Sequence, residues 1–381
     1  MSSKGEPGPV GPVGDPNFAR GVEDFAQERA EARFSENADI RRELNAVRAA
    51  YGSLKTSNAR TKEELSALER VYDEALVMTP QPNWLKAPKK TTDNRATLVA
   101  FLSDLHAGEV VNPEEMGGYN AYNLEIADQR LERFFSKTVS LAREYLAGVT
   151  YDGIVLALGG DLVSGDIHEE LEQTNELSVL NTALWVAPRI LAGIEQWATE
   201  FGKVHVVSAP GNHGRDSKMP RHKGRSAHNA DTHIAKMIAM FFAHSNPAGA
   251  VTFDIPDSFD VSFSAYDHVF NMEHGDNLKF SGTSEIGALG PVKRGTLRKA
   301  NQHREEGHPF DYNLVGHFHQ LVMAPSQGFV MNGSVKAFDE YARSWHLRPE
   351  PPQQALLVVT PTHGVSAQVP IFVGDREAEG W

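Results

Sequence analysis

The chain has 381 residues, 40% hydrophobic and 23% charged, which excludes full-length disorder and allows one large domain or two with appendages. Its 37 Lys and Arg against 50 Asp and Glu give a net charge of −13, so it does not coat itself non-specifically with nucleic acid or anionic lipid, and any basic site has to be local. No cysteine is present, which excludes disulfides, thiolate nucleophiles and Cys-based zinc sites and leaves metal binding to His, Asp and Asn.

Residues 5–16 read as four Gly-X-Y triplets, too few to hold a collagen triple helix alone. Residues 1–16 are therefore expected to form a disordered, collagen-like tail, with a short trimer-assisting or display element as the other reading. The Met1-Ser2-Ser3-Lys4 start leads into Gly and Pro and not into an apolar signal core, and no run approaches the roughly 18 apolar residues of a membrane span. The expectation is a cytoplasmic protein with no membrane partner.

From 17 to 79 the composition turns helical. Ile40, Leu44, Val47, Tyr51 and Leu54, then Leu65, Leu68, Tyr72 and Ala75, follow steps of four and three, and the same register passes through Asn58 and Thr61. Two readings stand. One is a helical hairpin broken near 52–58, its second helix starting at the capping-box sequence Thr61-Lys62-Glu63-Glu64. The other is a continuous coiled coil through which the chain forms a homo-oligomer. Residues 80–97, with Pro82, Pro88, Lys86, Lys89 and Lys90, show no periodicity and read as a linker.

Beyond it, apolar runs at 98–102, 154–158, 204–207, 269–272 and 312–315 alternate with amphipathic stretches, the pattern of an α/β domain. Later runs at 329–331, 355–360 and 365–373 lack intervening helices and suggest a second sheet that closes the domain. The expected architecture is two packed mixed β-sheets flanked by helices over 98–373, with 374–381 as a C-terminal tail.

Ligands of open α/β sheets gather at the carboxyl ends of strands. Five strands deliver polar residues there: Asp104 and His106, then Asp161, then Asn212 and His213, then His274, then His317 and His319. Two cations about 3.5 to 4 Å apart repel, so a shared carboxylate has to bridge them while neutral His and Asn complete the spheres. Asp161, alone after its strand, is the natural bridge. Strand alternation sends i and i+2 the same way, so Asp104 with His106, and His317 with His319, can each converge on the ions. Single pairs of this kind are weak signals, since Asp-x-His also occurs at 166/168 and 231/233; the order of all five blocks carries the weight.

In that order, Asp-x-His, Gly-Asp, Gly-Asn-His, His and Gly-His-x-His, the chain resembles the calcineurin-like metallophosphoesterases. The resemblance spans 98 to about 373 and includes Asn332-Gly333-Ser334, similar to a segment many members carry beyond Gly-His-x-His. It implies an αββα sandwich and two divalent ions, Mn first, with Fe, Zn or Ni possible. One ion would be held by Asp104, His106, Asp161 and His319, the other by Asp161, Asn212, His274 and His317. His213 would be the acid while a metal-bridging hydroxide attacks phosphorus. The family usually follows Gly-Asn-His with a carboxylate, whereas Gly214 stands here; Asp166, Asp216 and Glu169 are the candidates to orient His213 instead.

After His213 come Arg215, Lys218, Arg221, Lys223 and Arg225 with one carboxylate among them, and Lys293, Arg294, Arg298, Lys299 and Arg304 form a second basic cluster. Beside a phosphoester site these favour backbone phosphate binding and a nuclease similar to the double-strand-break-repair exonucleases. The chain also resembles phage-encoded, exonuclease-like phosphoesterases, which would place it in host cytoplasm. A small-substrate enzyme, either a cyclic-nucleotide phosphodiesterase or a phosphomonoesterase, is the alternative. A third reading is an inert assembly protein, against which stands the full ligand set: buried ligands without a metal would be unsatisfied polar groups.

Overall fold

The computed structural model describes residues 82–86, 94–245, 249–278 and 288–381, together with eleven separate positions between 27 and 59. The chain divides into two compact units, residues 1–71 and 72–381. In the first, every described residue is helical, including Tyr51, Gly52, Lys55 and Ala59. The Gly-X-Y tail, most of the 17–79 segment and part of the 80–97 stretch lie outside the described residues.

In the second unit β1 (Arg95–Leu102) is buried over all but its first residue, as an interior strand covered on both faces must be. Parallel to it run β2 (Thr150–Leu158), β3 (Val204–Ser208) and β4 (Val251–Asp254). Helices α1 (Leu124–Ser140), α2 (Glu169–Thr174), α3 (Val179–Phe201) and α4 (Ala230–Ser245) fill the connections. A second sheet is built from β5 (Asp260–Ala265), β6 (His268–Glu273), β7 (Tyr312–Val315), β8 (Val322–Ala324) and β9 (Phe329–Met331), with α5 (Leu289–Glu305) between β6 and β7. The chain finishes with α6 (Glu340–Ser344), β10 (Gln353–Thr360), β11 (Gly364–Phe372) and α7 (Arg376–Glu379).

The first sheet has the order β11-β10-β1-β2-β3-β4 and the second β5-β6-β7-β9-β8, both mixed. Between the sheets lie Val99, Phe101, Val155 and Val207 against Phe263, Phe270, Met272 and Leu314. On the outer face of the first sheet, Leu98, Ala100, Leu156 and Val206 share a core with Phe134, Ile190, Trp197 and Ile234 of the helices. On the outer face of the second, Val315, Phe329 and Met331 pack with Val292 of α5. The layering is the expected αββα sandwich. No helix among the described residues is long and apolar enough to cross a membrane.

The strands differ from expectation in two ways. The 355–360 and 365–373 runs do not join the second sheet. Instead β10 pairs antiparallel with β1, Leu98 opposite Val358, because its alternating residues are apolar on both faces: Leu356 and Val358 enter the helix-side core, Leu357 and Val359 the core between the sheets. Three strands escaped notice, β4, β5 and β8, and all three are edge strands. Edges are short and half solvated, so they lack the apolar run that marks an interior strand.

Two stretches read as linker and tail carry packed structure. In the first, Asn83–Leu85 forms a 3-10 turn, Leu85 is fully buried, and its carbonyl accepts from the Tyr266 amide at 2.6 Å. In the second, Glu379 of α7 sits fully buried between Arg130, at 2.9 Å, and Arg133, at 2.7 Å. A buried guanidinium needs a carboxylate partner, and the last residues of the chain supply it.

Candidate metal centre

The seven predicted ligands follow the carboxyl ends of β1, β2, β3, β6 and β7, and the six His and Asp among them come together. With His213 these form three donor groups: Asp104 with His106 and His319, His106 with Asp161 and His213, and Asp161 with His274 and His317; the first two share His106 and the last two share Asp161. His106 Nε2 lies 3.2 Å from His319 Nε2, and His319 Nε2 lies 3.3 Å from Asp104 Oδ1. Two ligands bound tetrahedrally at about 2.0–2.1 Å from one ion stand about 3.3 Å apart, so these atoms already hold the spacing of a coordination sphere. Asp161 Oδ2 lies 2.8 Å from His274 Nε2 on one side and 3.9 Å from His106 Nε2 on the other, the position of a bridge.

The backbone is strained where the ligands sit. Of the eight described non-glycine residues with positive φ, five are Asp104, His106, Asp161, His317 and His319, with φ between 48° and 69°. Such a conformation costs on the order of 1–3 kcal/mol per residue and persists where the surroundings over-determine it, typically at functional sites. It also replaces the geometric reason expected for convergence. Asp104, His106, His317 and His319 lie beyond the ends of β1 and β7, and left-handed turns, not strand alternation, aim them inward. His317 and His319 consequently diverge, one toward each group.

Glycine permits the close approach at Gly211, where a Cβ would stand 2.1 Å from Asp161 Oδ1. Asp161 Oδ1 accepts from the His213 amide at 2.7 Å, leaving Oδ2 to the ligand cluster.

The donor set fits metal ions. Asn212 Oδ1 and His274 Nε2 are buried with no hydrogen-bond partner among the described residues; His274 Nε2 is near Asp161 but off hydrogen-bond geometry. Orphaned buried polar atoms of this kind are costly unless something coordinates them. The other ring nitrogen of His274 lies 2.8 Å from the Gly159 carbonyl, which makes Nδ1 the donor and frees Nε2 as a ligand.

Charge in the metal-free site is balanced by protons. Burial works against a charge on His274, but the Asp161 carboxylate prevails and pushes its pKa up to about 10. Burial likewise opposes ionisation of Asp161 and Asp104; the imidazoles of His274 and His213 around Asp161, and of His319 and His274 around Asp104, outweigh it and hold both carboxyls below the usual range. His317 is pushed down to about 4 by burial and then by His274, and His106 falls well below its ordinary value through burial and Lys336. Two imidazoles are thus kept neutral as ligands, and a divalent ion would displace the proton on His274.

His213 stands at the edge of the cluster, its ring 4.5 Å from that of His106. None of the three expected carboxylates orients it. Nδ1 lies 2.6 Å from the Ser164 carbonyl, an acceptor only, so Nδ1 donates and Nε2 faces away. Asp216 is engaged elsewhere, with His228 at 2.7 Å and Arg221 at 3.5 Å. His168 precedes α2 without capping it and turns its ring toward His213, 6.0 Å between centroids.

Two supports, Asp231 and Glu109, are not evident from the sequence, and the Asn332-Gly333-Ser334 segment now gains a role. Asp231, dismissed with its Asp-x-His pair, is fully buried and accepts from the amides of Asp161 (3.0 Å), Leu162 (2.9 Å) and Gly211 (2.9 Å), locking the bridge loop to the Asn212 loop. Burial and the nearby Asp161 push its carboxyl up to about 6. Glu109 places Oε2 3.5 Å from His106 Nδ1 and is held by buried Lys336 at 2.7 Å. Asn332 donates to the Phe101 carbonyl, Ser103 Oγ and Gln354 Oε1, and Ser334 Oγ donates to the Asp104 carbonyl, so the Asn-Gly-Ser segment braces the end of β1. For Asp231 and Glu109 the one advance signal was Asp231 following Asn229 at a helix start.

The expected phosphate-binding residues divide. Arg215 spends its guanidinium on the carbonyls of Asn212, Ser217 and Lys218, and Arg225 on Asp276 and the Pro210 carbonyl. Both fasten the loop that carries Asn212 and are not offered to a ligand. Lys218 pairs with Glu172 at 2.7 Å on the surface, and Arg221 and Lys223 are exposed.

No family model and no curated protein matches the chain. Among solved structures it is similar to vacuolar protein sorting 29 from Cryptosporidium parvum, at 13% identity over 70% of this chain and 86% of that one, TM-score 0.28. A dimetal phosphatase from Danio rerio aligns at 10% identity over 73% and 99%, TM-score 0.33. A predicted phosphoesterase from Streptococcus pneumoniae TIGR4 aligns at 10% over 72% and 97%, TM-score 0.25. At these identities and scores the likenesses carry no argument about chemistry, which rests on the residues themselves.

Proposed function

We propose that this chain is a calcineurin-like, two-metal phosphoesterase that hydrolyses phosphodiester bonds, with nucleic acid as its substrate. The observation that carries the reading is the convergence of two ligand groups on one buried carboxylate, Asp161, with five ligand residues held in left-handed backbone. The mixed imidazole, carboxylate and amide set suits Mn, Fe, Zn or Ni better than Ca or Mg. When bound, a pair of such ions polarises phosphoryl oxygens and lowers the pKa of water.

The chain's own residues supply the remainder. Asp104 and Asp161 bring the two negative charges of the ligand set, and neutral His106 and His317 add donors without charge. His213, its Nδ1 proton fixed on the Ser164 carbonyl, presents Nε2 at the edge of the cluster. As imidazolium it carries a proton there that the leaving oxygen can take. His319, 26% exposed at its side chain, marks the solvent side from which a substrate enters.

A basic segment beside the site of a net-acidic chain supports a polyanionic substrate. One observation favours the small-substrate alternative instead: Arg215 and Arg225 are consumed within the protein. The Mn-dependent rate on an aryl phosphodiester against the matched monoester, with chelator and Asp161→Asn controls, tests the reading. A large diester preference supports it, and a monoester preference makes the protein a phosphatase. No metal-dependent hydrolysis of either ester would overturn the reading.

A further inference from the structure

The two basic clusters, about seventy residues apart in sequence, line one cavity. It holds about 740 Å³ between the 221–225 loop and α5, and Arg221, Arg225, Arg294, Arg298 and Lys299 all face it. Its wall is continuous with the metal-ligand segments: Glu273 precedes His274, and Arg225 is bonded to Pro210, two residues before Asn212.

Not all of this charge is available. Lys299 is clamped between Glu273 at 2.8 Å and Asp260 at 2.9 Å, and Arg225 is paired with Asp276 at 2.7 Å. Arg221 meets Asp216 only at 3.5 Å with both side chains nearly half exposed, a contact worth little in water. Arg294 and Arg298 are exposed and make no ion pair among the described residues. They stand one helical turn apart on the same face of α5, where like charges repel and weaken a helix. Among the described residues neither guanidinium has a hydrogen-bond or ion-pair partner.

A volume of this size exceeds what one phosphate needs and lies within the range of ligand sites. Phe259, 42% exposed, carries the Lys299 ammonium over its ring, 4.6 Å from the centroid, and adds its remaining aromatic surface to the same lining. Cations that track a backbone beside an aromatic platform are the elements that hold single-stranded nucleic acid, whose unpaired bases have a free face to stack.

We infer that this cavity is a subsite for single-stranded polynucleotide, with Arg294, Arg298 and Arg221 on phosphates beyond the scissile one and Phe259 against a base. The inference rests on the phosphoesterase reading and replaces Arg215 and Arg225 as substrate contacts.

The test is fluorescence anisotropy of full-length protein with a labelled dodecathymidylate in chelator, over a salt series, alongside Mn-dependent turnover of the same oligonucleotide and of an aryl phosphodiester. Arg294→Gln/Arg298→Gln is expected to weaken oligonucleotide binding at least tenfold and to lower the log–log salt slope by about 1.4, the release expected for two single-strand phosphate contacts. Its loss of kcat/KM on the oligonucleotide should exceed its loss on the aryl ester by at least tenfold. Phe259→Ala should weaken binding without changing the slope, and Lys137→Gln on α1 should change neither. Wild-type binding by the double arginine variant, with hydrolysis of the aryl ester intact, would overturn the subsite and leave the phosphoesterase reading standing. A wild-type protein that hydrolyses no ester with Mn yet binds the oligonucleotide through these arginines would overturn the phosphoesterase reading and uphold the subsite.

Discussion

Replacing Asp161 by Asn tests the bridge with almost no change of shape. In the native site Oδ1 accepts from the His213 amide at 2.7 Å, and Oδ2 faces His274 and His106. An amide cannot satisfy both sides. With its NH2 toward His213 two donors collide; with its NH2 toward the cluster the bridging oxygen is gone. The negative charge is lost in either orientation, leaving Asp104 as the one carboxylate of the ligand set. Losing a group that only hydrogen-bonds to a ligand weakens metal binding about 10–100-fold, so losing a bridging ligand should cost at least about 10²-fold. Metal stabilisation of phosphoryl transfer amounts to several kcal/mol, and at about 1.4 kcal/mol per decade the rate should fall roughly 10²- to 10⁴-fold. Metal titration and steady-state hydrolysis read both losses. Histidine NMR of the metal-free proteins adds a readout independent of catalysis. His274 should titrate near 10 in the wild type and fall in the variant, because burial remains while Asp161, the foremost of the carboxylates that oppose it, loses its charge and only Asp104 and Asp276 are left. Full loading with two ions, normal turnover and an unmoved His274 titration would refute the reasoning.

His213→Ala should retain both ions and lose about 10²- to 10⁴-fold in kcat on a diester with a poor leaving group, with a smaller loss on a nitrophenyl ester, whose leaving oxygen needs no proton. His205, buried on β3 with Nδ1 2.9 Å from Thr252 Oγ1, is pushed down to about 4 by burial. A histidine lowered in the folded state costs nothing above pH 6.5. The unfolded chain takes up the proton first as pH falls, so stability should drop by roughly 3 kcal/mol between pH 6.5 and 4 from this group, and the unfolding free energy from urea titrations of His205→Gln should lose that much of its pH dependence. Glu379→Ala leaves Arg130 buried without its partner and should cost about 3–5 kcal/mol in denaturant unfolding, with a smaller loss in Glu379→Gln.

The parts of this molecule that were legible in the sequence are those where one physical demand acts alone. Interior strands β1, β2, β3 and β7 are apolar on both faces and announce themselves. The candidate ligands stand directly beyond strand ends, and Asp and His are among the few residues that tolerate the left-handed backbone found at Asp104, His106, Asp161, His317 and His319. What failed required knowledge of partners. The assignment of β10 to the first sheet depends on pairing with β1, which no local pattern encodes. Arg215 and Arg225 look the same as Arg294 and Arg298 in composition, and only the carbonyls and Asp276 around the former show that their donors are already occupied. His213 illustrates the same limit. A carboxylate was sought to orient it, and a backbone carbonyl at Ser164, invisible as a residue type, does the work. Asp231, whose role is to gather three amides, has no chemistry of its own to advertise.

The most direct test of the central claim is an anomalous difference map from crystals of the protein grown with manganese. Two peaks are expected, about 3.5–4 Å apart on either side of the Asp161 carboxylate. One would lie among Asp104, His106 and His319, the other among Asn212, His274 and His317. No peak, or a single ion that leaves Asp161 uncoordinated, would contradict it.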